Sequence, residues 1–376
     1  MNPNSPNDPR GPLPDEPGVK RRYTPEEAGH DIRRKPVSRA RRRRRKGVNV
    51  GVLIVSAIFA VVIGISLFII ISGKKRPEVI YPDTTEADAA TEPLESVDDG
   101  RSYYTVTIAS DQIYYGDLIL VNAATEYRFP AEAENSIVNI SEYKNEYYLM
   151  ADPAARLSKN VVDRFNTLCT DYYAYNGFRY MQVNSAYRSR EEQINVYNSY
   201  AQSNGEDYAK AYVATPGYSE HHTGLALDLN INRGGSISYV ESDEGAAWFR
   251  DNAKNYGFIL RYPSDKVYMT GISYESWHYR YVGLPHSQII SDMNMCLEEY
   301  EQYLKKYTYD TDLIAYSADT GVMYVDPESE LSAAVLVYYA PSDGDKTEVK
   351  VPKGYTYEIS GNNTDGFVIT ATREGE

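Results

Sequence analysis

The strongest apolar signal in the chain is "VNVGVLIVSAIFAVVIGISLFIIIS", Val48 to Ser72, which holds no charged residue. At about 1.5 Å per residue, a helix of this length crosses a bilayer core with some tilt. The run is too long and starts too late for the core of a cleaved signal peptide, and it lacks a small-x-small cleavage site. Residues 48–73 therefore read as an uncleaved transmembrane anchor. "RARRRRRK" (Arg39 to Lys46) precedes it. The positive-inside rule then predicts a single-pass protein of the cell membrane, with a cytoplasmic N-terminus and the remaining chain outside.

Flanking segments show no apolar period. Residues 1–47 read as a disordered basic cytoplasmic tail and residues 74–100 as an acidic flexible spacer. Periodicity begins near Arg101. "YYGDLILVN" (Tyr114 to Asn122) has the apolar run of a strand. From Ser158, "KNVVDRFNTLCTDYY" places Val161, Val162, Phe165, Leu168, Cys169 and Tyr172 on one helical face. "RYMQVNSAYRS" (Arg179 to Ser189) predicts a strand ending in a turn. Arg190 to Gln202 predicts a helix with Val196, Tyr197 and Tyr200 inward. "GAAWFRDNAKNYG" predicts a helix closed by Gly257. "FILRYP" (Phe258 to Pro263) and "WHYRYVG" (Trp277 to Gly283) read as strands, and "SQIISDMNMCLEEYEQYLKKY" as one long helix. Helices and strands mix without a βαβ repeat. The expectation for residues 101–309 is thus an α+β domain, with helices packed on a mainly antiparallel sheet. Short strand-like runs split by Gly, Pro, Asn and Asp make residues 310–376 a small β-rich appendage.

Charge changes the picture in one respect. The chain carries −14 overall, yet residues 1–50 hold fourteen Lys/Arg against six Asp/Glu. An acidic body on a basic stalk argues against nucleic acid as a partner. The basic cluster is placed to touch anionic lipid heads, but setting topology alone is the preferred reading. Most of the 37 tyrosines read as packing and amphipathic surface. Cys169 and Cys296 stand outside any CxxC pair. They suit either a disulfide or two small buried hydrophobes.

The candidate chemistry lies in "PGYSEHHTGLALDLN" (Pro216 to Asn230), which uses two of the chain's five histidines. As a strand, this stretch buries Leu225, Leu227 and Leu229 on one face and aims Asp228 from the other. Gly224 and Ala226 leave room beside Asp228. His221 precedes Asp228 by an odd offset, so it comes from the turn before the strand. Imidazole and carboxylate suit zinc. "YESWHYRY" (Tyr274 to Tyr281) offers His278 as a third ligand and Glu275 as acid/base. Three protein ligands leave one zinc position for water, whose pKa falls to about 7. A nearby carboxylate can take its proton and hand it to a leaving amine. His222 reads as exposed or as support for a ligand, and cheap to replace. His286 reads as surface.

Ser219-x-His221-x-x-Gly224-x-Ala226-x-Asp228 followed by Glu275-x-Trp277-His278 resembles the VanY-type zinc D-alanyl-D-alanine carboxypeptidases. These are related to D-Ala-D-Ala dipeptidases and L,D-carboxypeptidases. "LILVN" (Leu118 to Asn122), "SAYRSREEQ" (Ser185 to Gln193) and Gly257 to Gly283 agree, so the resemblance spans roughly residues 112–305. It implies one Zn2+ per chain on His221, Asp228 and His278, with Glu275 as catalytic base. Arg188 would polarise the scissile carbonyl or grip the substrate's terminal carboxylate. Gln193 and Ser219 would contact the substrate's C-terminal end. The plain alternative makes Arg188 a surface ion-pair residue and Gln193 a solvated helix residue. Ser276 departs from the proline that many relatives carry between Glu and Trp, which frees the backbone beside Glu275. The implied function is removal of the terminal D-Ala from peptidoglycan stem peptides or their precursors by zinc-activated water. An L,D-carboxypeptidase acting on tetrapeptide stems has the same metal motif. A non-catalytic wall-binding relative has no chemical need for the intact set of ligands, Glu275 and Arg188.

Overall fold

The computed structural model describes residues 95–97, 102–317, 319–325 and 333–375. The segments read as a cytoplasmic tail and a transmembrane anchor, and most of the stretch read as a spacer, lie outside the described residues. Among the described residues no helix is long and apolar enough to cross a membrane. In chain order the strands are β1 (Glu95–Val97), β2 (Tyr103–Ala109), β3 (Ile137–Asn139), β4 (Leu149–Met150), β5 (Arg156–Ser158), β6 (Met181–Ser185), β7 (Ala226–Arg233), β8 (Ser236–Tyr239), β9 (Phe258–Leu260) and β10 (His278–Tyr281). The C-terminal part contributes β11 (Leu313–Ser317), β12 (Gly321–Val325), β13 (Val335–Pro341), β14 (Lys346–Pro352), β15 (Tyr355–Gly361) and β16 (Gly366–Arg373).

The sheet that carries the candidate chemistry runs β4-β6-β7-β10-β9, with β8 also on β7. Only the β4–β6 pair is parallel. The fold is mixed helix and sheet, as the pattern predicted. Helix Lys159–Asn176 buries the six residues expected of it, and Gly177 closes it in the left-handed conformation, φ 73°. Ser158 holds the N-cap position without a side-chain capping bond. That helical stripe meets Leu225, Leu227 and Leu229 in one core with Met181, Val183 and Phe249. Each such side chain is worth about 1.5–3 kcal/mol when fully buried. The leucine face of β7 is thus fixed inward and Asp228 to the other side.

Three expectations change, and the open question of the cysteines is answered. "LILVN" is buried but forms no strand beyond an isolated Asn122–Thr125 bridge. Two of its carbonyls are satisfied from elsewhere: Arg280 Nη2 donates to Ile119 O, as well as to the preceding Asp117 O, and Asn363 Nδ2 donates to Leu120 O. Helix Arg190–Asn204 is shallow; Gln193 is its buried residue, while Val196, Tyr197 and Tyr200 are half-exposed. Its N-terminus is locked by a capping box, with Ser189 Oγ accepting from Glu192 N and Glu192 Oε2 from Ser189 N. The long helix is two, His286–Asp292 and Leu297–Leu304. Asn294 takes φ 49° between them, and a second capping box at Cys296 and Glu299 starts the new helix. Both cysteines are buried and free.

The C-terminal strands form a sheet in the order β12-β11-β13-β16-β15, and β14 pairs with β2 along Lys346–Ala109 to Pro352–Tyr103. A strand from the start of residues 101–309 thus belongs to the sheet system of residues 310–376. Glu95–Val97, within the stretch read as a flexible spacer, adds β1 to β2. The appendage also shares a core with the first domain, in which Leu118, Leu120 and Ile259 meet Ile289, Tyr300, Val337 and Val368.

Candidate metal centre

Three elements bring the sequence-predicted ligands together. His221 sits in the 3-10 turn Glu220–Thr223, which Gly224 closes at φ 69°. A Cβ on Gly224 would collide with Ile137 Cδ1, so this glycine serves the turn and its packing rather than opening space beside Asp228. Asp228 lies on β7, and β10 sets His278 directly opposite it. Asp228 Oδ2 stands 3.3 Å from His221 Nε2, and Oδ1 stands 3.1 Å from His278 Nδ1. One ligand atom from each residue falls within 4.8 Å of the others. A tetrahedral ion with bonds of about 2 Å sets its ligands about 3.3 Å apart, so the spacing suits zinc.

The remaining ring nitrogens are held. His221 Nδ1 contacts Ala186 O at 2.6 Å, which keeps the proton on Nδ1 and turns the Nε2 lone pair toward Asp228. His278 Nε2 contacts Glu220 Oε2 at 3.4 Å. Burial, then the Arg188 charge, pushes His221 down to about 4, so it is neutral and able to ligate. Burial also acts to lower His278, but hydrogen bonds to Asp228 and Glu220 outweigh it and lift it to about 9. A buried cluster that draws positive charge in this way suits a cation. Asp228 is held well below the usual carboxylate range by both histidines, against burial.

Glu275 Oε2 lies 3.6 Å from His278 Nδ1. Burial, reinforced by Asp228, raises it to about 7, a value suited to a general base at neutral pH. Despite Ser276, its backbone is held: Glu275 N donates to Tyr262 O at 3.1 Å. The Arg188 charge is lowered in pKa by burial and supported by Asp228 and Glu275. Its Nε is buried without a hydrogen-bond partner. It is therefore not a surface ion-pair residue. Gln193 is also buried rather than solvated; its Nε2 donates to Ala214 O at 2.7 Å and its Oε1 has no partner. Ser219 is buried at the N-cap of the histidine turn.

The sequence reading missed Glu220. Its carboxylate is fully buried and accepts from Arg261 Nε at 2.7 Å and Arg280 Nη1 at 2.9 Å. Arg261 in turn grips Glu298 with both terminal nitrogens, at 2.9 and 2.6 Å. Burial alone would raise Glu220, yet the two arginines hold it well below the ordinary range. An acid beside His221, with arginines in both later strands, was the available signal.

Two histidine readings are corrected. His222 is fully buried; its Nδ1 contacts Arg188 O at 2.6 Å and its Nε2 accepts from Gly217 N at 3.0 Å. Ala186 and Arg188, alternate residues of one segment, thus each hold one histidine of the pair. His286 is likewise buried, between Tyr300 OH at 2.8 Å and Thr370 Oγ1 at 2.9 Å, and ties the C-terminal helices to β16. Tyr127 and Phe129 pack against the His222 ring and Tyr300 against that of His286, and both nitrogens of each ring are satisfied internally.

The family model for VanY, D-alanyl-D-alanine carboxypeptidase, matches residues 154–284. A D-alanyl-D-alanine carboxypeptidase of Enterococcus faecium is 37% identical over 285 residues, covering 74% of this chain and 82% of that protein. The chain belongs to the VanY family of D-alanyl-D-alanine carboxypeptidases. As a VanY-family protein it is a peptidase. A bifunctional D-Ala-D-Ala dipeptidase and D-Ala-D-Ala carboxypeptidase, VanXYC of Enterococcus gallinarum, is 46% identical over 122 residues, 31% of this chain and 64% of that protein. The VanY fold also matches the crystal structure of the vancomycin resistance D,D-dipeptidase VanXYg in complex with a D-Ala-D-Ala phosphinate analog. That match has a TM-score of 0.59 and 35% identity, and covers 72% of this chain and 98% of that one.

Proposed function

We propose that this VanY-family chain is a zinc-dependent D,D-carboxypeptidase that removes the terminal D-Ala from peptidoglycan stem peptides or their precursors. The observation that carries this is the meeting of His221, Asp228 and His278 beside a buried Glu275 raised to about 7. Zinc, which His221, Asp228 and His278 would hold, would supply a Lewis acid and lower the pKa of a water in the site. Glu275 takes the proton of the attacking water and returns it to the leaving amine. Arg188 brings an unpartnered guanidinium nitrogen to the oxyanion or to the substrate's terminal carboxylate. Gln193 and Ser219 contact the substrate's C-terminal end, and Gln193 Oε1 is available to accept a hydrogen bond. The relatives named for D-Ala-D-Ala cleavage support the substrate class. Residues 48–73 anchor the chain in the cell membrane, with the N-terminus cytoplasmic and the catalytic domain outside; the uncharged run and the arginines before it support this.

The test incubates purified full-length protein with pentapeptide and tetrapeptide stems, with and without chelator, and weighs the products. The expected result is D-Ala release from the pentapeptide only, stopped by chelator and restored by zinc. Release from the tetrapeptide only would make the enzyme an L,D-carboxypeptidase. Binding without release by metal-replete protein would leave a wall-binding relative.

A further inference from the structure

The two ends of the triad offer different chemistry. β6 runs antiparallel to β7 with Ser185 opposite Asp228. Arg188 therefore lies beyond the end where β7 begins, and its backbone N donates to His221 O at 3.0 Å. Asn230 lies the other way, two residues past Asp228. Side chains alternate along a strand, so it shares the Asp228 face. Gln182 stands opposite it on β6 and Tyr239 opposite it on β8. The Tyr239 ring lies 5.8 Å from that of Trp277. Asn230 is only 9% exposed. Its Nδ2 donates to Asn184 Oδ1 at 3.4 Å, and its Oδ1 is buried with no partner. A buried acceptor without a donor is costly and is the counterpart of an incoming N–H. These neighbours are all uncharged, which suits a peptide backbone rather than a charged side chain.

We propose that Asn230 binds the peptide on the N-terminal side of the scissile bond, with its Oδ1 accepting a backbone N–H of the stem. This rests on the peptidase reading above. The substrate then crosses the triad from Asn230 toward Arg188. A strand and an extended peptide both advance about 3.3 Å per residue, so the N–H that meets Asn230 belongs to one of the two amides before the penultimate residue.

The test uses full-length enzyme loaded with zinc, a pentapeptide stem, and two analogues in which one or other of those amides is an ester. Wild type should lose about 10- to 100-fold in kcat/KM on one ester analogue. Asn230→Leu should show that same loss on the parent peptide and no further loss on the ester, a non-additive cycle. Melting temperature and zinc affinity of the variant should match wild type. Wild type indifferent to both esters overturns the proposal even if the variant misfolds. So does a variant with the same ester loss as wild type. Wild type that releases no D-Ala from the parent peptide is a separate result, which removes the peptidase reading and this subsite with it.

Discussion

Replacing Glu220 by Gln tests whether the buried charge network supports the candidate metal centre. The substitution keeps the side chain's shape and removes its charge. Arg261 retains Glu298 at 2.9 and 2.6 Å. Arg280 retains hydrogen bonds to the carbonyls of Asp117, Ile119 and Tyr281. A fully buried guanidinium thus loses its ion-pair partner, although the amide oxygen can still accept from both arginines at the Oε1 position, and the new NH2 faces His278 Nε2. Breaking a buried ion pair from one side costs about 3–5 kcal/mol. At about 2–4 °C per kcal/mol for a body of this size, melting should fall by roughly 10 °C. His278 also loses the carboxylate that orients its Nε2, which should weaken zinc binding about 10- to 100-fold. Calorimetry on metal-free protein reads the first effect, and competition against a chromophoric chelator reads the second. A variant that melts and binds zinc as wild type does would refute the reasoning, because the network would then be neither structural nor supporting.

Four further outcomes follow from the same geometry. Glu275→Gln should keep zinc and lose about 10²- to 10⁴-fold in kcat, read by D-Ala release; full activity would remove the assigned base. His222→Ala should cost about 2–4 kcal/mol in denaturant unfolding while zinc affinity holds, since it empties a buried site with two hydrogen bonds; zinc loss there, with His221→Ala tolerated, would reverse the assignment of the pair. Burial pushes His286 down to about 3, so the unfolded chain binds the extra proton between about pH 6.5 and 3. Its contribution is whole above about 6.5 and is lost as pH falls, by up to about 1.4 kcal/mol per pH unit, and His286→Gln should flatten that part of the pH–stability curve. Deleting residues 310–376 should abolish cooperative unfolding, because it uncovers Leu118, Leu120 and Ile289 and removes Thr370 from His286; a truncated chain that melts like the whole would show the appendage to be independent.

The residue order alone determined what depends on local periodicity and on chemically distinctive side chains. It placed the 159–176 helix, the alternating leucines of β7 and the C-terminal strands, because burial of one face is written into spacings of 3.6 and 2. It also picked out His221, Asp228 and His278, which the fold then drew within 4.8 Å. Those side chains are few, and their motif spacing is strict. Tertiary structure decided matters that rest on partners distant in sequence. "LILVN" has a strand's composition, but donors from Arg280 and Asn363 occupy its carbonyls and no ladder forms. Asn294 breaks a helix that apolar spacing alone would continue. Glu220 acquires its role only from two arginines, more than forty positions later, that close around it. The pairing of β2 with β14 joins segments more than two hundred residues apart that no local pattern could connect. Burial of His222 and His286 came likewise from neighbours across the fold, which supply both the apolar cover and the hydrogen bonds that make a neutral imidazole acceptable inside.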